Sequence, residues 1–273
     1  MKNSIVVKLI FFVTVLMVLS SCSQTPQWKY DNTIQFEGIT PLGIIKNDSF
    51  LYISDSDNNK VFKMDLNGKV IETYENFERP MHIDMDGEKL FIPEYGADTI
   101  TIVHNQRRSY LPLNIQLDAP ASVDVQGDDY LIADFYNHRI VYNSQGKDLT
   151  FGKKGKVNGA FHYPTDIQFA NNLIYVADAY NNRVQVFDKA GKFKQTIGEE
   201  DGMNAATGIY VAEHFIAVTD FENSRILIYD LNGKLLQIIE EHLDKPTDVA
   251  IDKGVLYVAN YNNQSISVFK LEK

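Results

Sequence analysis

The stretch Tyr175-Val176-Ala177-Asp178-Ala179-Tyr180-Asn181-Asn182-Arg183-Val184-Gln185-Val186-Phe187-Asp188 decides the fold. Two β-branched, apolar runs flank an Asn-rich turn, and no helical period of comparable length crosses either run. The same core returns in five other places. Its last position is held in turn by Asp55, Glu94, Asp134, Asp178, Asp220 and Asn260, about one copy every 40 residues. Three residues later stand Asn58, Ala97, Asn137, Asn181, Asn223 and Asn263. Five residues later stand Lys60, Thr99, Arg139, Arg183, Arg225 and Ser265. Fourteen residues before each core end stands Pro41, Pro80, Pro120, Pro164, Ala206 or Pro246. Prolines in five of six copies at one fixed offset mark a repeated connector.

Working outward, each copy predicts four short strands. In the fourth copy these are residues 165–169, 173–177, 183–188 and 193–197. Asn67-Gly68, Asn232-Gly233, Gln145-Gly146 and Ala190-Gly191 separate the last two strands of their copies. Asn-Gly is the dipeptide that the φ > 0 centres of tight hairpins favour. Four strands per repeat of this length predict an all-β, six-bladed β-propeller of four-stranded antiparallel blades. The sixth copy ends after its third strand, which would leave an unpaired edge. Residues 28–39 precede the first proline and match the fourth-strand segments 69–78 and 234–245. Residues 30–36 are therefore expected to close the last blade.

From about Tyr30 to Leu271 the chain resembles the NHL-repeat family. The fourth copy is the best match, together with its upstream connector Phe151-Gly152-Lys153-Lys154-Gly155 through Gly159-Ala160-Phe161 to Pro164. Copies three, four and five match specifically. Copy two departs most, with Glu94, Ala97 and Thr99, and copy six has Asn260 and Ser265. The resemblance implies an interaction module, since many NHL propellers act as such. Six-bladed propellers also resemble peptidyl-hydroxyglycine α-amidating lyases and calcium-dependent lactonases. In those lyases histidines from several blades hold the metal, whereas His82 alone occupies the corresponding column here.

The N-terminus reads as an export signal. Lys2 and Lys8 precede the apolar run LIFFVTVLMVL at 9–19, which suits a signal-peptide core and is too short to span a bilayer. Leu19-Ser20-Ser21-Cys22 resembles a bacterial lipobox, which implies lipidation of Cys22. Cys22 is the single cysteine of the 273 residues, so no disulfide forms within the chain. The expected organisation is a signal peptide at 1–21, lipidated cysteine and tether at 22–29, and the propeller at 30–273. The expected location is the bacterial cell envelope, lipid-anchored in the outer membrane and facing the periplasm, with membrane contact through the lipid alone. A net charge of −10 argues against nucleic acid as partner, because phosphates demand a basic surface.

The repeated Asp-x-x-Asn-x-Arg element serves what every blade needs, and its expected role is structural: Asx side chains bond turn backbone. Departures from the pattern are better functional candidates. Two residues after the proline position stand Gly43, His82, Ser122, Asp166, Gly208 and Asp248, which are expected to ring the channel mouth. His82, Asp166 and Asp248, with Glu94, are candidate ligands for a divalent cation, Ca²⁺ or Zn²⁺. The other reading is an acidic mouth that holds water. In a four-stranded meander, the proline connectors and the loops between strands two and three share one face of the disc. Tyr95, Phe135, Tyr136, Tyr180, Phe221 and Tyr261 fall on those loops. They are candidates for gripping a peptide, glycan or protein partner, unless they pack between blades. His104, His138, His162, His214 and His242 share no repeat column and read as solvent or turn positions. The run 55–59 opens like a calcium loop, but Lys60 and Leu66 stand where that loop needs Gly and Glu. No complete catalytic motif occurs. The expected function is a monomeric, envelope-anchored binding or scaffold module. The alternative is a metal-dependent lyase or lactonase with its site at the channel mouth.

Overall fold

Each repeat folds into one four-stranded antiparallel sheet, and six such sheets stand around a central channel. The structure is a computed structural model that describes residues 27–47 and 49–272. The export signal and Cys22 lie outside the described residues. The six innermost strands are Ile44–Lys46, Asp84–Asp86, Pro120–Gln126, Pro164–Ala170, Ala206–Val211 and Pro246–Asp252, for blades one to six. Blade four continues as Leu173–Asp178, Arg183–Asp188 and Phe193–Ile197, within one residue of the expected strands. Among the described residues no helix is long and apolar enough to cross a membrane.

A blade is flanked by two neighbours, so both faces of its middle strands are covered. This explains why these strands read as continuous apolar runs instead of alternating ones. Leu51–Asp55, for example, is buried at all five positions. The core is accordingly split into layers between neighbouring blades. One layer joins Val184 and Val186 of blade four to Ile209, Ile216 and Val218 of blade five. Another joins Ile44, Ile53 and Met64 of blade one to Tyr257, Ala259 and Ile266 of blade six. Outermost strands face water, as Arg107–Tyr110 does throughout.

The ring closes as the sequence predicts. Gln27–Gln35 pairs antiparallel with Ser265–Glu272, from Gln27 opposite Glu272 to Gln35 opposite Ser265. The strand includes residues 27–29, which the sequence reading assigns to the tether. The reason is Trp28: it is buried, meets Phe215 of blade five edge-on at 5.9 Å, and exchanges two backbone hydrogen bonds with the Gln237 side chain. Ile34 and Phe36 enter the layer against blade one.

Candidate functional site

The repeated Asp is a clamp. Asp178 Oδ1 accepts the His162 N–H at 2.7 Å. Its Oδ2 accepts Asn181 Nδ2, Arg183 Nε and Gln185 Nε2 at 2.8, 3.0 and 2.9 Å. Asp134 and Asp220 repeat the scheme with Asp118 N and Arg139, and with Asn204 N and Arg225. Each acid ties the end of its strand to the incoming connector, while the Arg reaches connector carbonyls such as Gln116 O. Asp55 is used in the same way, by Thr40 N and Asn58, so the calcium-like run holds turn backbone. Glu94 belongs to this column as well. It accepts Glu78 N at 2.7 Å and the Thr101 hydroxyl. The structure does not bring Glu94 to the channel residues, because it ends the second strand of its blade instead of lying on the innermost one.

The channel column does converge. One ligand atom from each of His82, Asp166 and Asp248 lies within 4.8 Å of the others, and all three residues are buried. His82 Nδ1 stands 3.3 Å from Asp248 Oδ2, without the alignment of a hydrogen bond. Asp166 Oδ1 accepts the Ser122 hydroxyl at 2.6 Å, and its Oδ2 accepts Ile209 N at 2.7 Å. Asp248 Oδ2 accepts Ile44 N at 2.8 Å. These backbone donors belong to the next blade's innermost strand, whose channel-side edge has no strand to pair with. His82 reaches this position because blade two's innermost strand starts late. Its N–H bonds Ala121 O of blade three at 3.0 Å instead of its own sheet.

Two residues deeper lies a second tier that the sequence reading missed. Asp84, Asp124 and Gln168 accept Val125 N, Phe169 N and Val211 N of the following blades at 2.7, 3.0 and 2.6 Å. The repeat alignment carries the signal four residues after the proline position. Burial pushes the Asp84 and Asp166 carboxyls up to about 6. Asp124 is raised well above the usual carboxylate range by burial and then by Asp84. Burial works against protonating His82, but the Asp248 and Asp166 carboxylates outweigh it and raise its pKa.

The aromatic residues separate into two groups. Tyr95, Phe135, Tyr136 and Tyr180 come together on the connector face, joined by His138, His162 and Tyr163. Ring centroids are 5.6 Å apart for Tyr95 and Phe135, 4.7 Å for Phe135 and Tyr163, and 5.1 Å for Tyr163 and Tyr180. Tyr136 is 48% exposed and Tyr180 61% exposed. Arg79 caps the arc, 4.7 Å from the Tyr95 ring. Phe221 and Tyr261 form a separate pair 6.5 Å apart, and the Tyr261 hydroxyl donates to Asp57. His138 is a buried turn residue with positive φ whose Nδ1 accepts Tyr163 N at 3.1 Å. That nitrogen therefore carries no proton, and burial, then Lys154, lowers the ring's pKa. His214 is exposed and His104 half-exposed at a strand end, and His242 stacks on Tyr30.

Comparisons agree on the architecture. A family described as a 6-bladed beta-propeller matches residues 158–270. The protein brain tumor of Drosophila melanogaster is 46% identical over 50 residues, 18% of this chain and 5% of that protein. The match thus spans about a twentieth of that relative's length. Among solved structures, virginiamycin B lyase from Staphylococcus aureus superposes with a TM-score of 0.67 at 13% identity, over 90% of this chain and all of that one. A streptogramin B lyase gives 0.65 at 14%, over 88% and 97% of the two chains. A chain of a nidogen/laminin complex gives 0.65 at 15%, over 77% and 84%. At such identities the likeness is one of fold. The chain is an all-β, six-bladed β-propeller.

Proposed function

We propose that this propeller is a binding module, anchored in the cell envelope through Cys22, that grips a peptide or glycan on its connector face. One observation carries the reading: seven rings from blades two to four and their connectors form one continuous arc, with Tyr136 about half exposed and Tyr180 mostly exposed. Tyrosines offer flat apolar area with a polar edge at small entropic cost, which suits stacking on sugar faces or peptide side chains. Arg79 adds a fixed cation at one end.

The test is a glycan and peptide array probed with the full chain, followed by titration of the best hit. Tyr136→Ala and Tyr180→Ala should each weaken binding about tenfold or more, as loss of an exposed aromatic anchor does. Both variants should keep a cooperative melt close to the parent's, because Tyr180 is mostly exposed and Tyr136 about half exposed at the surface of the arc. Phe221→Ala, on the other side of the face, should leave binding unchanged. Absence of any hit, or equal loss in the Phe221 variant, would refute the arc as the site. Failure of a Cys22→Ala variant to lose radiolabelled lipid would separately refute the anchor.

A further inference from the structure

The channel-mouth column, taken around the ring, alternates small and ligating residues: Gly43, His82, Ser122, Asp166, Gly208, Asp248. The three potential ligands thus come from blades two, four and six, a third of a turn apart around the axis. The positions between them stay small for a steric reason. A Cβ on Gly208 would meet Thr247 O at 2.5 Å, and one on Gly43 would meet Met81 O at 2.7 Å. His82, Asp166 and Asp248 can therefore close on the axis from three sides.

We propose that His82 Nδ1 and the carboxylates of Asp166 and Asp248 form a binding site for one first-row transition-metal dication, of which Zn²⁺ is the probe. One ligand atom from each residue already lies within 4.8 Å of the others. His82 is 4% exposed, and its Nδ1, 3.3 Å from Asp248 Oδ2, makes no well-aligned hydrogen bond, so its pairing within the cluster is incomplete. Each carboxylate oxygen engaged by Ile209 N or Ile44 N keeps a second lone pair. Those backbone donors and the Ser122 hydroxyl hold the carboxylates in orientation, as outer-shell partners of metal ligands do. Two buried acids beside one imidazole carry excess negative charge. Lys46, which also lines the channel, is held by Asp252 at 2.6 Å. A cavity of about 170 Å³ beside the cluster leaves room for water to complete the coordination. An imidazole in the set selects zinc-like ions over Ca²⁺ and Mg²⁺, which take all-oxygen sites. The site involves none of the rings of the aromatic arc.

The experiment strips the full chain with chelator, reloads it with Zn²⁺, removes the excess and measures metal content, affinity and thermal shift. One zinc per chain is expected, with a raised melting temperature and no displacement by millimolar Ca²⁺. His82→Ala and Asp166→Asn should abolish stoichiometric binding. Ser122→Ala should weaken it roughly 10–100-fold, the usual cost of losing an outer-shell partner. His162→Ala, in the His138–His162 pair of the connector face, should bind as the parent does. X-ray absorption of the zinc-loaded parent, which does not depend on any variant folding, should show one imidazole among oxygen donors. No retained zinc, unchanged binding in a folded His82→Ala chain, loss in His162→Ala, two imidazoles or a sulfur ligand would each overturn the site. In the first case His82 is simply a proton-bearing partner of the two acids.

Discussion

Asp178 shows what a repeated residue does in this molecule. It is fully buried, and its two oxygens serve one backbone N–H and three side chains, including the 2% exposed Arg183. Asp178→Ala would leave the Arg183 Nε–H and the His162 N–H without their acceptor in the interior, and a buried charge without its closest carboxylate. The expected loss is about 3–5 kcal/mol in urea unfolding, the usual result of breaking a buried pair from one side. Glu94→Ala should cost less, about 1–2 kcal/mol, because Thr99 replaces the Arg there and only neutral donors are orphaned. The same comparison explains Glu94's misassignment as a metal candidate. A longer acid in a degenerate repeat looks like a functional departure, yet Thr101 shows that the clamp was rebuilt around it. For His82, Asp166 and Asp248 the departure from the column's small residues did mark a cluster.

At the scale of the element, the decisive piece is the N-terminal strand Gln27–Gln35. It is the outermost strand of blade six, and it places Trp28 in one interblade layer and Ile34 with Phe36 in the other. Trp28→Ala is expected to destabilise the whole propeller by about 3–5 kcal/mol, the range for deleting a large buried aromatic. Deletion of residues 28–38 should lower the melting temperature of the entire β signal, not of a separable tail. Circular dichroism melts check both, and an unchanged melt would contradict closure by this strand. The strand was legible because blade six lacks a fourth strand and an orphan segment matches one. Its start was misplaced because Trp28 looks like part of a tether until its partner Phe215, far away in sequence, is in view.

Across the whole molecule, the channel carries a consequence for pH. Asp124 is raised by burial and by Asp84, so the fold favours its neutral form. A raised carboxyl contributes stability at low pH, and that contribution is lost as pH rises through its folded pKa. Asp124→Asn copies the neutral form and keeps an acceptor for Phe169 N. In chelator, it should melt above the parent at about pH 8, and the gain should vanish at about pH 4, where the parent's Asp124 is itself protonated. Thermal melts across that range test it, and a constant difference would refute it. The sequence by itself determined the blade count, the strand order and the closure of the ring. Those features depend on local strand chemistry repeated at a fixed interval, and repetition makes each copy a check on the others. It also brought Tyr95, Phe135, Tyr136 and Tyr180 to one face, through the topology of a meander. Tertiary structure alone decided that Tyr163, His138 and His162 join them while Phe221 and Tyr261 stand apart. It alone decided that His82, Asp166 and Asp248 meet and Glu94 does not join them. Such contacts join different blades or depend on how far each strand stands from the axis, and a period along the chain carries no record of distance across the ring.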